Sequence, residues 1–153
     1  MYEYNCKINK VVDGDTVDVD IDLGFNIMIK GERVRIMGID TPESRTSDIV
    51  EKKFGLAAKA RLKELLKGNP ILKTQINKKG EDMKGKFGRI LGDFIVYYPV
   101  TDNWIPVTEI MIMEGHAVPY FGGSKEELKE QHMKNRAKLI NNGVVQLEST
   151  TER

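Results

Sequence analysis

The sequence predicts a mainly β, α+β domain: a five-stranded Greek-key barrel with three helices. Five short apolar segments have the length of strands, and three other segments repeat apolar residues at helical spacing. One helical segment follows the third strand, and the other two lie near the end of the chain. This order of elements fits a small barrel with helical additions.

The first three strands are predicted before residue 40. Residues 4–12 form an apolar-rich run, and residues 16–22 alternate apolar residues with aspartates, which is the period of a half-buried strand. The segment 13–15 between them has turn chemistry. Residues 27–39 form the third strand, which Gly31 interrupts with a turn or a bulge.

The clearest helical pattern covers residues 50–65, where apolar residues recur at helical spacing with Lys and Glu between them. Asp48 and Glu51 have the spacing of a capping box at its start. The segment 68–70, Gly-Asn-Pro, ends it.

The rest of the chain is predicted to add two strands and two helices. The strands lie near 70–77 and 87–98. Residues 106–114 suit a short apolar helix, and residues 124–141 suit a third helix that begins with a second capping box at Ser124.

Length and composition favour one globular domain. The 153 residues include 40% hydrophobic and 31% charged residues, an ordinary balance for a folded protein. We expect the domain to cover residues 1–145 and a polar tail to cover 146–153. The formal net charge of +1 excludes no class of partner.

The single cysteine, Cys6, excludes an intrachain disulfide and favours either a reducing compartment or a fold that needs no disulfide. Its expected role is that of a small buried hydrophobe. The first residues lack a basic segment followed by an apolar run, and no stretch has the length of a membrane span. We therefore expect a cytoplasmic monomer without a membrane partner.

Three acidic residues lie where a cation site can form. Asp15 lies in the turn between the first two strands, and Asp40 and Glu43 flank a Thr-Pro pair after the third strand. Hard cations such as Ca²⁺ prefer oxygen ligands from carboxylates, backbone carbonyls and water. Asp is also common in turns, so each aspartate taken singly fits a purely structural role as well.

Two arginines lie at strand positions that suit an anion site. Arg35 interrupts an otherwise apolar strand, and Arg89 follows Gly88 at the start of another. A guanidinium group offers a planar fork of donors and stays charged, which suits it to clamp a phosphate. The alternative for Arg35 is a solvent-facing position in an alternating strand.

Together these motifs resemble the signature of the staphylococcal nuclease family, also called micrococcal nucleases or thermonucleases. The resemblance rests on Asp13-Gly14-Asp15-Thr16, on Arg35 followed by Ile39-Asp40-Thr41-Pro42-Glu43, and on Phe87-Gly88-Arg89. It runs from about residue 4 to about 145. Each motif alone is weak evidence, but their order and spacing together are specific. The resemblance implies an OB-fold barrel and a nuclease.

The resemblance also implies one Ca²⁺ site, with other divalent ions as alternatives. Its ligands would be the carboxylates of Asp15 and Asp40 and the backbone carbonyl of Thr41.

In the family pattern, arginines corresponding to Arg35 and Arg89 bind the scissile phosphate. Glu43 would accept a proton from water or orient that water. The implied reaction is endo- or exonucleolytic hydrolysis of DNA or RNA, preferably of single strands or breathing duplexes, and it leaves a 3′-phosphate.

For substrate contacts the resemblance is incomplete. The family places two tyrosines near the substrate base, whereas the corresponding segment here contains Tyr120 followed by Phe121. An aromatic face of either kind can stack on a base, and packing on the barrel is the alternative for Phe121. Lys84 and Lys86 lie in a basic loop that can guide a polyanion.

The main alternative is a catalytically weak nucleic-acid-binding module with the same fold, like the nuclease-like repeats of Tudor-containing proteins. Such repeats typically lose the acidic ligands and arginines, which this sequence retains. His116 and His132 have no partner at metal-ligand spacing, so structural or solvent roles are expected for both.

Overall fold

The computed structural model describes residues 2–75, 84 and 88–147 of the chain. These residues contain eight strands and three helices. In chain order they are β1 (Glu3–Asp13), β2 (Thr16–Asp22), β3 (Met28–Ile36), β4 (Ile39–Asp40), α1 (Ile49–Leu65), β5 (Ile71–Thr74), β6 (Ile90–Tyr98), β7 (Asn103–Pro106), α2 (Val107–Met113), β8 (Val118–Pro119) and α3 (Lys125–Asn141).

Five strands form a closed barrel in the order β3-β2-β1-β5-β6, because β6 also pairs with β3. The closing pair is parallel, with Val34 opposite Ile90, and the other neighbouring pairs are antiparallel. The predicted five-stranded OB-fold barrel with three helices is therefore confirmed. Two short strands were not predicted: β7, which extends the sheet beside β6, and β8, which forms a separate ribbon with β4.

One hydrophobic core fills the barrel and continues under α1. Val17 and Val19 of β2 point inward and are fully buried, as the predicted alternation requires. Ala58 and Leu62 of α1 are fully buried in the same cluster. Helix α1 thus covers the barrel and lies close to the turn between β1 and β2.

The predicted third strand over 27–39 is divided in two. The chain turns at Gly38, whose φ of +87° favours glycine, and β4 leaves the barrel to pair with β8. Gly31 forms the predicted irregularity, since the register between β2 and β3 shifts there. Its N–H donates a hydrogen bond to Oδ1 of the buried Asp20 at 2.8 Å.

Helix α1 begins as predicted. The Asp48 carboxylate accepts hydrogen bonds from the N–H groups of Val50 and Glu51. The reciprocal half of the predicted capping box is wrong, because the Glu51 side chain accepts instead from the backbone N–H of Glu43 at 3.0 Å. This bond ties the loop after β4 to the first turn of α1.

Helix α2 is held to β6 and to α1 by polar contacts. Asp93 of β6 accepts a hydrogen bond from Oγ1 of Thr108 at 2.6 Å. Burial raises the pKa of Asp93 to about 6, although hydrogen bonds from Thr108 and from the N–H of Phe94 oppose the rise. Arg61 of α1 makes a two-point ion pair with Glu114, the C-cap of α2, at 2.6 and 2.8 Å.

Several predicted elements extend beyond the described residues. The strand predicted near 70–77 covers Ile71–Thr74, and the one predicted near 87–98 covers Ile90–Tyr98. Residues 76, 77 and 87 lie outside the described part, as does most of the predicted tail, from 148 onward. Within that part no helix combines the length and the apolar character that crossing a membrane requires.

Cys6 is partly buried rather than fully buried. Burial raises the pKa of its thiol to about 11, so the reactive thiolate form is scarce near neutral pH. This agrees with the structural role expected for it.

Candidate active site

The turn between β1 and β2 lies against the loop that follows β4. Gly14 permits this approach, since a β-carbon there would stand 2.9 Å from Cβ of Ala58 and 3.2 Å from Oγ1 of Thr41. The next residue, Asp15, accepts a hydrogen bond from Oγ1 of Thr16 at 2.9 Å. The turn, the loop and α1 therefore meet at one place, and Asp15 lies there.

The loop after β4 is anchored through its own backbone and through Asp13. The hydroxyl of Ser44 donates a hydrogen bond to Oδ1 of Asp13, and Arg45 forms an ion pair with the other oxygen at 3.5 Å. At Gly55 of α1, a β-carbon would stand 2.2 Å from the carbonyl oxygen of Glu43. These contacts fix the backbone at Glu43 while its side chain remains exposed.

Sheet register brings the two arginines toward the same turn. Arg35 pairs with Thr16 of β2 on one side and with Leu91 of β6 on the other, two residues after Arg89. The guanidinium of Arg35 donates hydrogen bonds to the carbonyl oxygens of Ile36 and, at 3.2 Å, of Ile39.

The same guanidinium also pairs with an acidic residue of the turn. Nη2 of Arg35 lies 3.4 Å from Oδ2 of Asp15. The Arg35 side chain is therefore held by contacts with Ile36, Ile39 and Asp15.

These elements line a cleft of about 550 Å³. The cleft gathers all six residues for which the sequence predicts a metal-binding or catalytic role, from three separate parts of the chain. They are Asp15, Arg35, Asp40, Thr41, Glu43 and Arg89.

The charges in this cleft fit a divalent cation. Four carboxylates and three guanidinium groups line it, so its formal charge is −1 when all are ionised. A divalent cation would change the sign and make the cleft attract a phosphodiester. The aspartates offer the hard oxygen ligands that Ca²⁺ prefers. Among the described residues no group of three or more His, Cys, Asp or Glu side chains is arranged to hold a metal ion.

A second cavity, of about 660 Å³, adjoins the cleft, since Arg35 and Arg89 line both. Tyr120 and Phe121 contribute to its wall, and Phe121 is 88% exposed. The N–H of Tyr120 donates a hydrogen bond to the carbonyl oxygen of Gly38 at 2.9 Å. The two aromatic residues singled out for base stacking therefore lie beside the candidate phosphate site.

Of the two lysines predicted to contact substrate, only Lys84 belongs to the described residues. Nζ of Lys84 lies 3.4 Å from Oε1 of Glu32, so this lysine pairs with a carboxylate of β3. Lys86 lies outside the described residues.

One contact in the site had no signal in the sequence. Nε2 of His132, on α3, lies 2.8 Å from Oδ2 of Asp40, although the two residues are 92 positions apart. The expectation that His132 has only a structural or solvent role therefore omitted a direct contact with a candidate metal ligand. His116 is buried, as a structural role requires.

Comparison with known proteins agrees with this geometry. The family described as staphylococcal nuclease homologue matches residues 33–142. An uncharacterized protein of Bacillus anthracis is 32% identical over 114 residues, which cover 73% of this chain and 45% of that protein. An uncharacterized protein of Methanocaldococcus jannaschii is 28% identical over 148 residues, which cover 85% of this chain and 65% of that protein.

The chain thus spans less than two thirds of the length of either of these relatives. The family match itself covers most of the chain and includes β4, α1, β6 and α2. Together with the closed barrel, it shows that this chain belongs to the family of staphylococcal nuclease homologues.

Proposed function

We propose that this chain is a Ca²⁺-dependent nuclease that hydrolyses phosphodiester bonds of DNA or RNA. The observation that carries the proposal is the convergence of two aspartates, one glutamate and two arginines on a single cleft. Such a set combines ligands for a hard cation with fixed positive charge for a phosphate.

Asp15 and Asp40 would hold the cation, with the backbone carbonyl of Thr41 as a third protein ligand. When bound, a divalent cation neutralises charge on a phosphate oxygen and lowers the pKa of a bound water. The turn at Gly14 and the β4–β8 pairing support these ligands, because they fix the backbone from which each aspartate extends.

Arg35 and Arg89 would bind the non-bridging oxygens of the scissile phosphate. Negative charge on these oxygens grows as the attacking oxygen approaches phosphorus, so fixed donors stabilise the transition state more than the ground state. Arg35 is supported in this role by its backbone hydrogen bonds, which hold the guanidinium in one orientation.

Glu43 would accept a proton from the attacking water, or orient that water. The water oxygen forms a bond to phosphorus, the bond from phosphorus to the 5′-oxygen breaks, and the leaving oxygen takes a proton from solvent. The products would be a 3′-phosphate and a free 5′-hydroxyl. The exposed side chain of Glu43 on an anchored backbone suits this role.

The substrate would extend from the cleft into the adjoining cavity, where Tyr120 and Phe121 offer faces for base stacking. A stacked base must leave its own duplex partner. We therefore propose that single strands and breathing duplexes are preferred, and that the domain acts as a monomer.

The deciding experiment is cleavage of an end-labelled single-stranded DNA and a matching RNA with Ca²⁺, Mg²⁺, Mn²⁺ or a chelator. We expect cleavage with Ca²⁺, none with chelator, and products that carry a 3′-phosphate. An Asp40→Ala, Arg89→Ala double variant serves as the control for a contaminating nuclease.

The rival function, a binding module with the same fold, predicts a different result. A chain that only binds nucleic acid would retard the labelled strand in a gel and would not cut it in the presence of any of these ions. That outcome would overturn the nuclease proposal.

A further inference from the structure

We propose that His132 is a positioning residue, which orients the carboxylate of Asp40 for cation binding and so makes α3 part of the metal site. The inference rests on the proposed function. Its starting point is the 2.8 Å distance between Nε2 of His132 and Oδ2 of Asp40. The side chains of His132 and Asp40 are 16% and 36% exposed, so the contact is partly enclosed and less screened by solvent than a pair on the open surface.

The helix that carries His132 is fixed to the ribbon that carries Asp40. Asn135, one helical turn after His132, donates a hydrogen bond from Nδ2 to the carbonyl oxygen of Ala117 at 3.1 Å. The next residue, Val118, pairs with Asp40 across the β4–β8 ribbon. Helix, ribbon and carboxylate therefore form one connected unit.

A second bond holds the same helix further along. Nζ of Lys138 donates to the carbonyl oxygen of Met113, at the end of α2, at 2.7 Å. With α3 fastened at two points, the imidazole of His132 stays in place relative to Asp40.

The chemistry of the contact suits a ligand-orienting role. An imidazole N–H that donates to one carboxylate oxygen restricts rotation of the carboxylate and leaves the other oxygen for a cation. Outer partners of this kind commonly change metal affinity by about 10–100-fold when they are removed. The contact also explains how a distant C-terminal helix can influence a site built on barrel loops.

Competition between His132 and the cation for Asp40 would have the opposite effect on affinity. If His132 instead competed with the cation for Asp40, its removal would tighten cation binding. The direction of the change in affinity therefore decides between the two roles.

The test is isothermal titration of Ca²⁺ alone, without nucleic acid, into the wild-type chain and two variants. His132→Leu removes the donor, and we expect it to weaken Ca²⁺ affinity by about 10–100-fold. His132→Gln places an amide N–H near the position of Nε2, and we expect it to restore most of the affinity. A merely structural role of the ring would not predict rescue by glutamine.

The matched control is Gln131→Ala, which changes the exposed neighbour of His132 on the same helix and should leave Ca²⁺ affinity unchanged. Circular dichroism on each variant checks that the helical content of the chain, to which α3 contributes 17 residues, is unchanged. Unchanged or tighter Ca²⁺ binding by a folded His132→Leu would overturn the role of His132 and leave the nuclease proposal standing. Failure of the wild type to bind Ca²⁺ would overturn both.

Discussion

The carbonyl oxygen of Glu43 lies only 2.2 Å from the position that a β-carbon on Gly55 would occupy. Glycine at this helical position therefore sets how closely the loop after β4 approaches α1. The neighbouring atoms are backbone atoms of Glu43 and Ser44, which cannot move without displacing the loop.

Gly55→Ala should consequently destabilise the protein, although alanine normally favours a helix over glycine by roughly 1 kcal/mol. We expect a loss of about 1–3 kcal/mol in the free energy of unfolding, the range for forcing a group into a filled space. Cleavage should fall by more than about tenfold, since the loop carries Glu43. Urea denaturation and cleavage rates measure the two effects. Gly123→Ala is the control, because a β-carbon there meets open space.

Cation binding should stabilise the folded chain through the two aspartates. A ligand at 100 times its dissociation constant adds about 2.7 kcal/mol to the free energy of unfolding. We expect Ca²⁺ to raise the melting temperature of the wild type but not that of Asp15→Asn or Asp40→Asn. In excess chelator the melting temperature of the wild type should return to its value without Ca²⁺. A Ca²⁺ shift of wild-type size in both variants would remove these residues from the metal site.

Arg35 and Arg89 should both be needed for cleavage, and Arg35 should also contribute to stability. Replacing either by lysine keeps the charge but removes the planar fork, and loss of one such donor typically lowers the rate about 10²–10³-fold. Arg35→Ala should in addition destabilise the fold by about 1–3 kcal/mol, because its hydrogen bonds to the carbonyl oxygens of Ile36 and Ile39 are lost. Single-turnover cleavage and urea denaturation separate the two effects. A cleavage rate that survives Arg89→Lys unchanged would contradict the clamp.

Glu43→Gln tests the proton acceptor without disturbing its loop. The loop is anchored by the backbone N–H of Glu43 and not by its side chain, so the melting temperature should stay the same. General-base help is commonly worth about 10²–10⁴-fold, and we expect a loss of that size in the cleavage rate. Glu126→Gln, an equivalent change at an exposed position of α3, should leave the rate unaltered. Full activity of Glu43→Gln would exclude Glu43 as the base.

Asp93 should make stability depend on pH. Its folded pKa of about 6 lies above the ordinary value near 3.8, so the folded state retains a proton that the unfolded state has lost. The resulting stabilisation is complete below the unfolded pKa and disappears as the pH rises through 6. For a shift of this size it amounts to roughly 2–3 kcal/mol.

The measurement is urea denaturation of the wild type and Asp93→Asn at about pH 4 and about pH 8. Relative to the wild type, the variant should be more stable by roughly 2–3 kcal/mol at the higher pH than at the lower one. Asparagine keeps one of the two accepting oxygens of Asp93, so the variant loses one hydrogen bond at both pH values, and this constant loss cancels in the comparison between them. A stability difference that stays constant with pH would show that Asp93 does not titrate in this way.

Most of the fold could be predicted because the signals are local. The alternation over residues 16–22 and the helical spacing over 50–65 follow from the different periods of strands and helices, and both elements were found. The short strands β7 and β8 were missed and β4 was predicted as the end of the third strand, because segments this short carry only a weak periodic signal. Such short strands form only where the tertiary structure places another segment of the chain beside them.

For the candidate site, too, the sequence indicated the residues but not all of their contacts. The order of the acidic and basic motifs along the chain, together with their family resemblance, indicated six candidate residues, and all six line one cleft. The sequence could not reveal that Glu51 bonds to the backbone of Glu43 and not to its helix cap. It also could not reveal that Gly55 sets the distance between loop and helix.

The sequence alone therefore determined the class of fold and the kinds of side chain available for chemistry, because propensity, period and motif act over a few residues. Tertiary structure alone decided that Arg35 pairs with Asp15 and that His132 reaches Asp40, since register and helix docking bring together residues that are distant in the chain. A carboxylate 92 positions from its imidazole leaves no local trace in the sequence.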